Sequence, residues 1–218
     1  MDLNLREVAG VLLLLGSAVF FLIGFGIAAA RPRMAGSGGG RTDEGLRMLG
    51  EHRSAWSLLM GVFSTAVGLT LLGFGFLTLD LLEAGASAAL GALLLYVLGA
   101  ALMFASTMFG LAVTGKVGEG AAKGETIPEW FRPLWRWSEA LYSAYMALAY
   151  SSVAVYGAIF LRRSTLPSWL GWTSLAFGAS GLFAILARRP RIGGEVVADF
   201  PLLIHLVAIP IGIVLLLG

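Results

Sequence analysis

The sequence predicts an all-α integral membrane protein, a compact bundle of six transmembrane helices forming one domain over residues 1–218. Three observations carry that expectation. Of 218 residues, 58% are apolar and only 13% are charged, whereas soluble domains carry about 25% charge. A soluble fold of this length lacks the polar cover for so much apolar surface. The apolar residues also fall into six runs, at about 8–30, 55–79, 86–114, 138–161, 167–187 and 200–217. A spanning helix needs roughly 20 such residues, and a barrel strand would be about half as long and would alternate. Finally, all six tryptophans lie at run boundaries, the headgroup level that indole rings prefer.

The first run ends in "GIAAARPR", which has the look of a signal-peptide cleavage site. Its apolar core is too long for one, and Asp2, Arg6 and Glu7 are not a basic leader, so the sequence predicts a retained anchor. The loop that follows, "RPRMAGSGGGR", is flexible by composition. "TDEGLRML" then predicts one or two amphipathic turns with Thr42 as N-cap. "GEHRSAW" places Glu51, His52 and Arg53 at the start of the second run, with Glu51 favourable at the positive helix end. Asp80 and Glu83 bound a tight turn before the third. Residues 127–137, "IPEWFRPLWRW", predict an interfacial segment with its rings among headgroups. Pro128 and Pro133 are expected to keep it from forming one continuous helix. In the sixth run Asp199 is a candidate N-cap, Pro201 fits the first turn, and Pro210 frees the carbonyl of Leu206.

Basic residues predict the orientation. Loop one with the start of helix two carries Arg31, Arg33, Arg41, Arg47 and Arg53; loop three carries Lys116, Lys123, Arg132 and Arg136; loop five carries Arg188, Arg189 and Arg191. The other side holds Arg6, Arg162 and Arg163. Loops 1, 3 and 5 are therefore expected to be cytoplasmic and both termini outside, in a cell inner membrane or plasma membrane.

Small residues recur every seven positions. Helix one has Gly10, Ser17 and Gly24; helix two has Ser54, Gly61, Gly68 and Gly75; helix three has Gly85, Ala92, Gly99 and Ser106; helix four has Ala140, Ala147 and Ala154. Such rows let helices approach closely in lipid, and a period of seven favours left-handed crossings near +20°. Gly61, Gly68, Gly75 and Gly99 are the predicted packing positions.

Ionisable groups inside a bilayer are functional candidates by default. Glu139 opens the fourth run, with Tyr142, Ser143 and Tyr150 following along it. These residues could form a proton or cation site at a cavity mouth; alternatively Glu139 is an interfacial anion held by the helix dipole and by Arg136. His205 lies deeper and suits a proton relay, a haem ligand or a substrate contact, or else a hydrogen bond between helices. His52 is the other imidazole that could pair with it on haem, or it is simply part of a solvated helix start. Tyr145, Ser152 and Tyr156 share another face of helix four and predict interhelical hydrogen bonds.

Much chemistry is excluded. Without cysteine there are no disulfides, thiolate metal sites or cysteine nucleophiles. Two histidines do not suggest a zinc site. "GSGGGR" lacks the Lys-Ser/Thr of a phosphate loop, and "GEGAAKG" follows no strand. The basic residues are dispersed, so no nucleic-acid partner is expected, and no cofactor is implied. The lipid bilayer is the expected partner, with a second copy or another membrane protein beside it.

"RRSTLPSWLGWTSLAFGASGLFAIL", from Arg162, resembles an uncharacterised bacterial multi-pass integral-membrane family, a domain of unknown function. The likeness covers about residues 138–190. It rests on the Leu-Pro-x-Trp-Leu step into a Gly-rich penultimate helix, with "EHRSAW" opening an early helix. It implies a compact multi-pass fold and assigns no functional residues.

The expected function is that of a non-catalytic accessory, assembly or sensing bundle. Two alternatives use the same inner-half polar groups: a small transporter or channel with a cytoplasm-open cavity, and a membrane enzyme or haem-binding protein.

Overall fold

A computed structural model describes residues 4–24, 42–162, 166–186 and 201–217. Among these, every regular element is a helix. They are α1 (Leu5–Ala18), continued by a π-helical turn at Val19–Gly24; α2 (Asp43–Glu51); α3 (Arg53–Glu83); α4 (Ala88–Phe109), continued by a π turn at Gly110–Thr114; α5 (Gly115–Ala122); α6 (Phe131–Arg162); α7 (Ser168–Leu186); and α8 (Pro201–Leu217). Five helical stretches are long and apolar enough to cross a membrane: Leu5–Leu22, Arg53–Glu83, Ala88–Ala122, Phe131–Arg162 and Ser168–Leu186. The sixth run also forms a helix, with a shorter apolar stretch at Ile204–Leu217. The chain is thus an α-helical membrane bundle. Arg31, Arg33, Arg41, Arg163, Arg188, Arg189, Arg191 and the proposed cap Asp199 lie outside the described residues.

Helix boundaries follow local chemistry. Thr42 caps α2 as expected, its hydroxyl accepting from the Gly45 N–H at 2.9 Å. The amphipathic turns run further than predicted and fill nine residues, Asp43–Glu51. Glu51, His52 and Arg53 therefore do not open one helix together. Glu51 ends α2, His52 is its C-cap with its N–H on the Met48 carbonyl, and Arg53 opens α3. The favourable contact of Glu51 with a positive helix end is lost by that placement.

Helix α3 ends in a glycine turn. Gly85 sits at φ 76°, its N–H on the Leu82 carbonyl while the Ala86 N–H reaches the Leu81 carbonyl, both at 2.8 Å. This pair of bonds satisfies the last carbonyls of a helix and needs a left-handed residue. Gly85 is therefore a helix stop and does not belong to the small row of helix three. Asp80 likewise sits within the last turns of α3 and not in the loop.

The segment 127–137 differs from expectation. Helix α6 begins at Phe131 and runs unbroken to Arg162, so only 127–130 lie outside it. Pro133 falls in its first turn, where the missing N–H would have had no partner anyway. Only Pro128 acts as a boundary.

The chain divides into two compact units. The first comprises residues up to Ala18, Ala66–Ala101 and the chain from Ser143 on. There α1 packs on α8, and α8 touches α7; the core includes Leu13, Phe74, Leu77, Tyr96, Tyr145, Tyr156, Phe160 and Ile211. The second comprises Val19–Thr65 and Leu102–Tyr142. There α2 packs on α5, with Leu46 and Leu49 of α2 buried, and Phe131 of α6 is buried beside Phe109 and Trp135. The α2–α5 contact is tight because it is glycine on glycine: a Cβ on Gly50 would land on the Gly118 carbonyl.

Candidate functional site

In the first unit, neutral polar side chains are buried between helices and bonded to one another or to backbone. Ser17 donates to the Leu13 carbonyl at 2.9 Å and lies 3.1 Å from the carbonyl of His205. The His205 Nδ1 is 3.4 Å from the Thr70 hydroxyl, which itself bonds back to Ala66 at 2.9 Å. Gly16 makes the approach of Thr70 feasible, since a Cβ there would lie 2.6 Å from its hydroxyl oxygen. The hydroxyls of Thr78 and Tyr156 are 2.6 Å apart. Ser152 donates to the Ala92 carbonyl at 2.7 Å. The interhelical role predicted for Ser152 and Tyr156 is thus seen. The Tyr156 and Tyr96 rings flank Phe74 at centroid distances of 4.9 and 5.1 Å. Tyr145 and Tyr150 are also buried, the Tyr150 ring against Gly181, and Ser143 is partly exposed.

The sequence reading did not single out Ser17 as a partner of His205, nor Thr70 and Tyr96 at all. Single hydroxyls inside apolar runs are common, and a linear pattern does not reveal which of them share a depth. Tyr96 is fully buried, with Tyr145 and Thr70 as its polar neighbours.

The second unit adds ion pairs between partly exposed side chains. Arg53 pairs with Glu119 and Arg132 with Asp43, while Arg47 is 3.7 Å from Glu51. The Trp56 indole donates to the Gly110 carbonyl at 3.2 Å, the carbonyl that also closes the π turn with the Gly115 N–H. Glu139 and Tyr142 are half-buried here. Glu139 is nine residues into α6, whose first residue is Phe131. The dipole effect fades within the first turn, so it does not hold Glu139 as expected. His52 belongs to this unit, with its backbone engaged at the α2–α3 junction, and His205 to the other. No three His, Asp or Glu side chains come together among the described residues.

The seven-residue rows divide sharply. On α4, Ala92 receives the bond from Ser152, and a Cβ on Gly99 would lie 3.2 Å from the Tyr145 carbonyl. Ser106 meets Ser138, hydroxyl to hydroxyl, at 2.9 Å. The partner residues 152, 145 and 138 descend by sevens, so this row meets a matching one on α6. On α3 the row points the other way. A Cβ on Gly61, Gly68 or Gly75 would meet nothing within 4 Å among the described residues. Their expected packing within the chain is therefore replaced by that of Gly73, whose Cβ would press on Leu13 at 2.8 Å. The reason is angular: two residues along a helix is about 200° of rotation, so Gly73 and Gly75 face opposite sides. Leu58, Leu72 and Leu79 flank the open row and are about half exposed.

Compared with known proteins, the chain matches no family model, no curated protein and no solved structure.

Proposed function

We propose that the chain is a non-catalytic, multi-pass membrane protein that acts as an accessory, assembly or sensing bundle through helix contacts in the bilayer. The observation that carries this reading is the open row Gly61, Gly68, Gly75 on α3. Smooth rows of small residues drive helix association where lipid removes the hydrophobic drive. The chain already uses that device on α4, where the row is filled. The occupant of the α3 row is a second copy. A straight row on one helix pairs with itself about a twofold axis, the commonest oligomeric symmetry.

In this reading Pro201–Leu217 is the sixth span and both termini lie outside. Loops 1, 3 and 5 face the cytoplasm of an inner or plasma membrane. Arg47, Arg53, Lys116, Lys123, Arg132 and Arg136 support that sidedness from the described residues.

Thr65 lies on the open row and is exposed. Since the chain has no cysteine, Thr65→Cys introduces one thiol. Oxidation in membranes should give a disulfide-linked dimer, whereas Leu90→Cys, an exposed site on α4, should not. Monomer at both positions, or linkage of Thr65→Cys to a different protein, would reject self-association.

A second reading, a small transporter or channel, draws on Tyr96. Its hydroxyl is buried in an apolar interior beside those of Tyr145 and Thr70, a run of neutral groups along which a proton could pass. Proton flux into vesicles that is lost in Tyr96→Phe at unchanged expression would support it.

A further inference from the structure

At the far end of α4–α5 the second unit carries two adjoining hollows. One, of about 380 Å³, is walled by Ala112, Val113, Lys116 and Val117 along one helix face and by Glu125 and Trp130 of the returning loop. The other, of about 500 Å³, is lined by Asp43, Glu44, Arg47, Gly124, Glu125 and Ile127. Glu125 belongs to both.

The hollows sit at headgroup depth. Trp56 bonds the Gly110 carbonyl, and indoles mark the membrane–water boundary. Lys116 follows six residues later, about 9 Å further along the helix. The walls are graded accordingly, with Ala112 and Val113 at the lipid end and carboxylates at the water end.

The charges are placed by backbone geometry. Gly124, at φ 83°, ends α5 with its N–H on Ala121 at 3.1 Å and the Glu125 N–H on Gly120 at 2.9 Å. That turn folds Glu125 back over the helix, and its Oε2 lies 2.7 Å from where a Cβ on Gly120 would be. Gly120 is one turn beyond Lys116 on the same face, about 6 Å along the axis. A cation and a carboxylate therefore stand one helical turn apart. Of the other charges lining these hollows, Asp43 is taken by Arg132 and Arg47 lies near Glu51. Lys116, Glu125 and Glu44 form no ion pair among the described residues.

We propose that this gutter binds a phospholipid whose headgroup joins a phosphate to a primary ammonium through a short ester. Lys116 takes the phosphate, and Glu125, with Glu44 beyond it, takes the ammonium. The first acyl carbons lie along Ala112 and Val113, and Trp130 covers the glycerol level. The order of groups in the lipid, apolar then anionic then cationic, complements the order of groups in the wall. A purely anionic headgroup would place its second polar end against Glu125 and Glu44.

The test is native mass spectrometry of the full chain taken from vesicles of equal parts phosphatidylethanolamine, phosphatidylcholine and phosphatidylglycerol. The wild type should retain phosphatidylethanolamine in preference. Glu125→Gln removes a charged acceptor and should cut that retention about tenfold, leaving phosphatidylglycerol unchanged. Lys116→Gln should lower retention of all three. Gly120→Ala, which displaces the Glu125 carboxylate without removing it, should weaken phosphatidylethanolamine in the same sense. Equal retention of the three lipids by the wild type, a preference for phosphatidylglycerol or phosphatidylcholine, or a Glu125→Gln variant that keeps its phosphatidylethanolamine would each overturn the proposal.

Discussion

Two helices of this protein carry the same seven-residue row of small side chains, and they use it in opposite ways. On α4 the row Ala92, Gly99, Ser106 is filled by residues of α6, and each contact is specific: a hydroxyl on a carbonyl, a backbone against a bare Cα, a hydroxyl on a hydroxyl. On α3 the row Gly61, Gly68, Gly75 meets nothing among the described residues. A period of seven thus shows that a helix has one smooth face. It does not show whose helix lies against that face. The polar residues decide the matter on α4, because Ser138 and Ser152 on α6 return the same spacing. The α3 row has no such reciprocal within the described chain.

The comparison predicts a large asymmetry between equivalent substitutions. Gly99→Leu forces a side chain onto the Tyr145 carbonyl and the Leu148 Cβ, 3.2 and 3.3 Å from the position of its first carbon. It should lower stability by about 1–3 kcal/mol, read as an earlier thermal loss of helical circular dichroism in detergent. Gly68→Leu has open space and should unfold where the wild type does, within about 0.5 kcal/mol. Equal losses in the two variants would mean that the α3 row is already packed within the chain.

A finer cut removes one bond of the filled row. Ser152→Ala leaves the Ala92 carbonyl without its donor and should cost about 0.6 kcal/mol, the average for hydrogen bonds between membrane helices. Tyr156→Phe, which removes the partner of Thr78, should cost a similar amount in the same measurement. The smallest effect belongs to Gly68→Ala. It adds a methyl to an empty face and favours helix by up to about 1 kcal/mol, so the melting temperature should hold or rise slightly.

The sequence made some of this legible and not the rest. The helical class, the Thr42 cap and the Ala92, Gly99, Ser106 part of the α4 row followed from short-range chemistry, which a linear string preserves. The ends of α3 and α6 did not, because each helix continues past its apolar run. Arg53 and Glu83 are polar and still helical, and Pro133 is harmless in a first turn. Facing was the harder problem. Gly73 and Gly75 look alike in sequence, and only the direction of α1 shows which one is closed. For the candidate site, His205 was flagged by its type, whereas Thr70, Tyr96 and Ser17 became visible only as neighbours. Glu139 was expected at a helix end and lies within a helix. Lys116 was read only as a loop charge and Glu125 was not singled out, since the turn at Gly124 that brings them to one face has no signature beyond the glycine.

The central claim is that the open row on α3 is a contact face for a second copy. Energy transfer between two pools of chain, each labelled at one introduced cysteine and mixed in lipid vesicles, tests it most directly. The account predicts transfer that rises with the ratio of protein to lipid and falls to the background of non-interacting helices in Gly61→Leu/Gly68→Leu/Gly75→Leu, with the helical signal unchanged. Background transfer in the wild type, or transfer that survives the triple substitution, would contradict it.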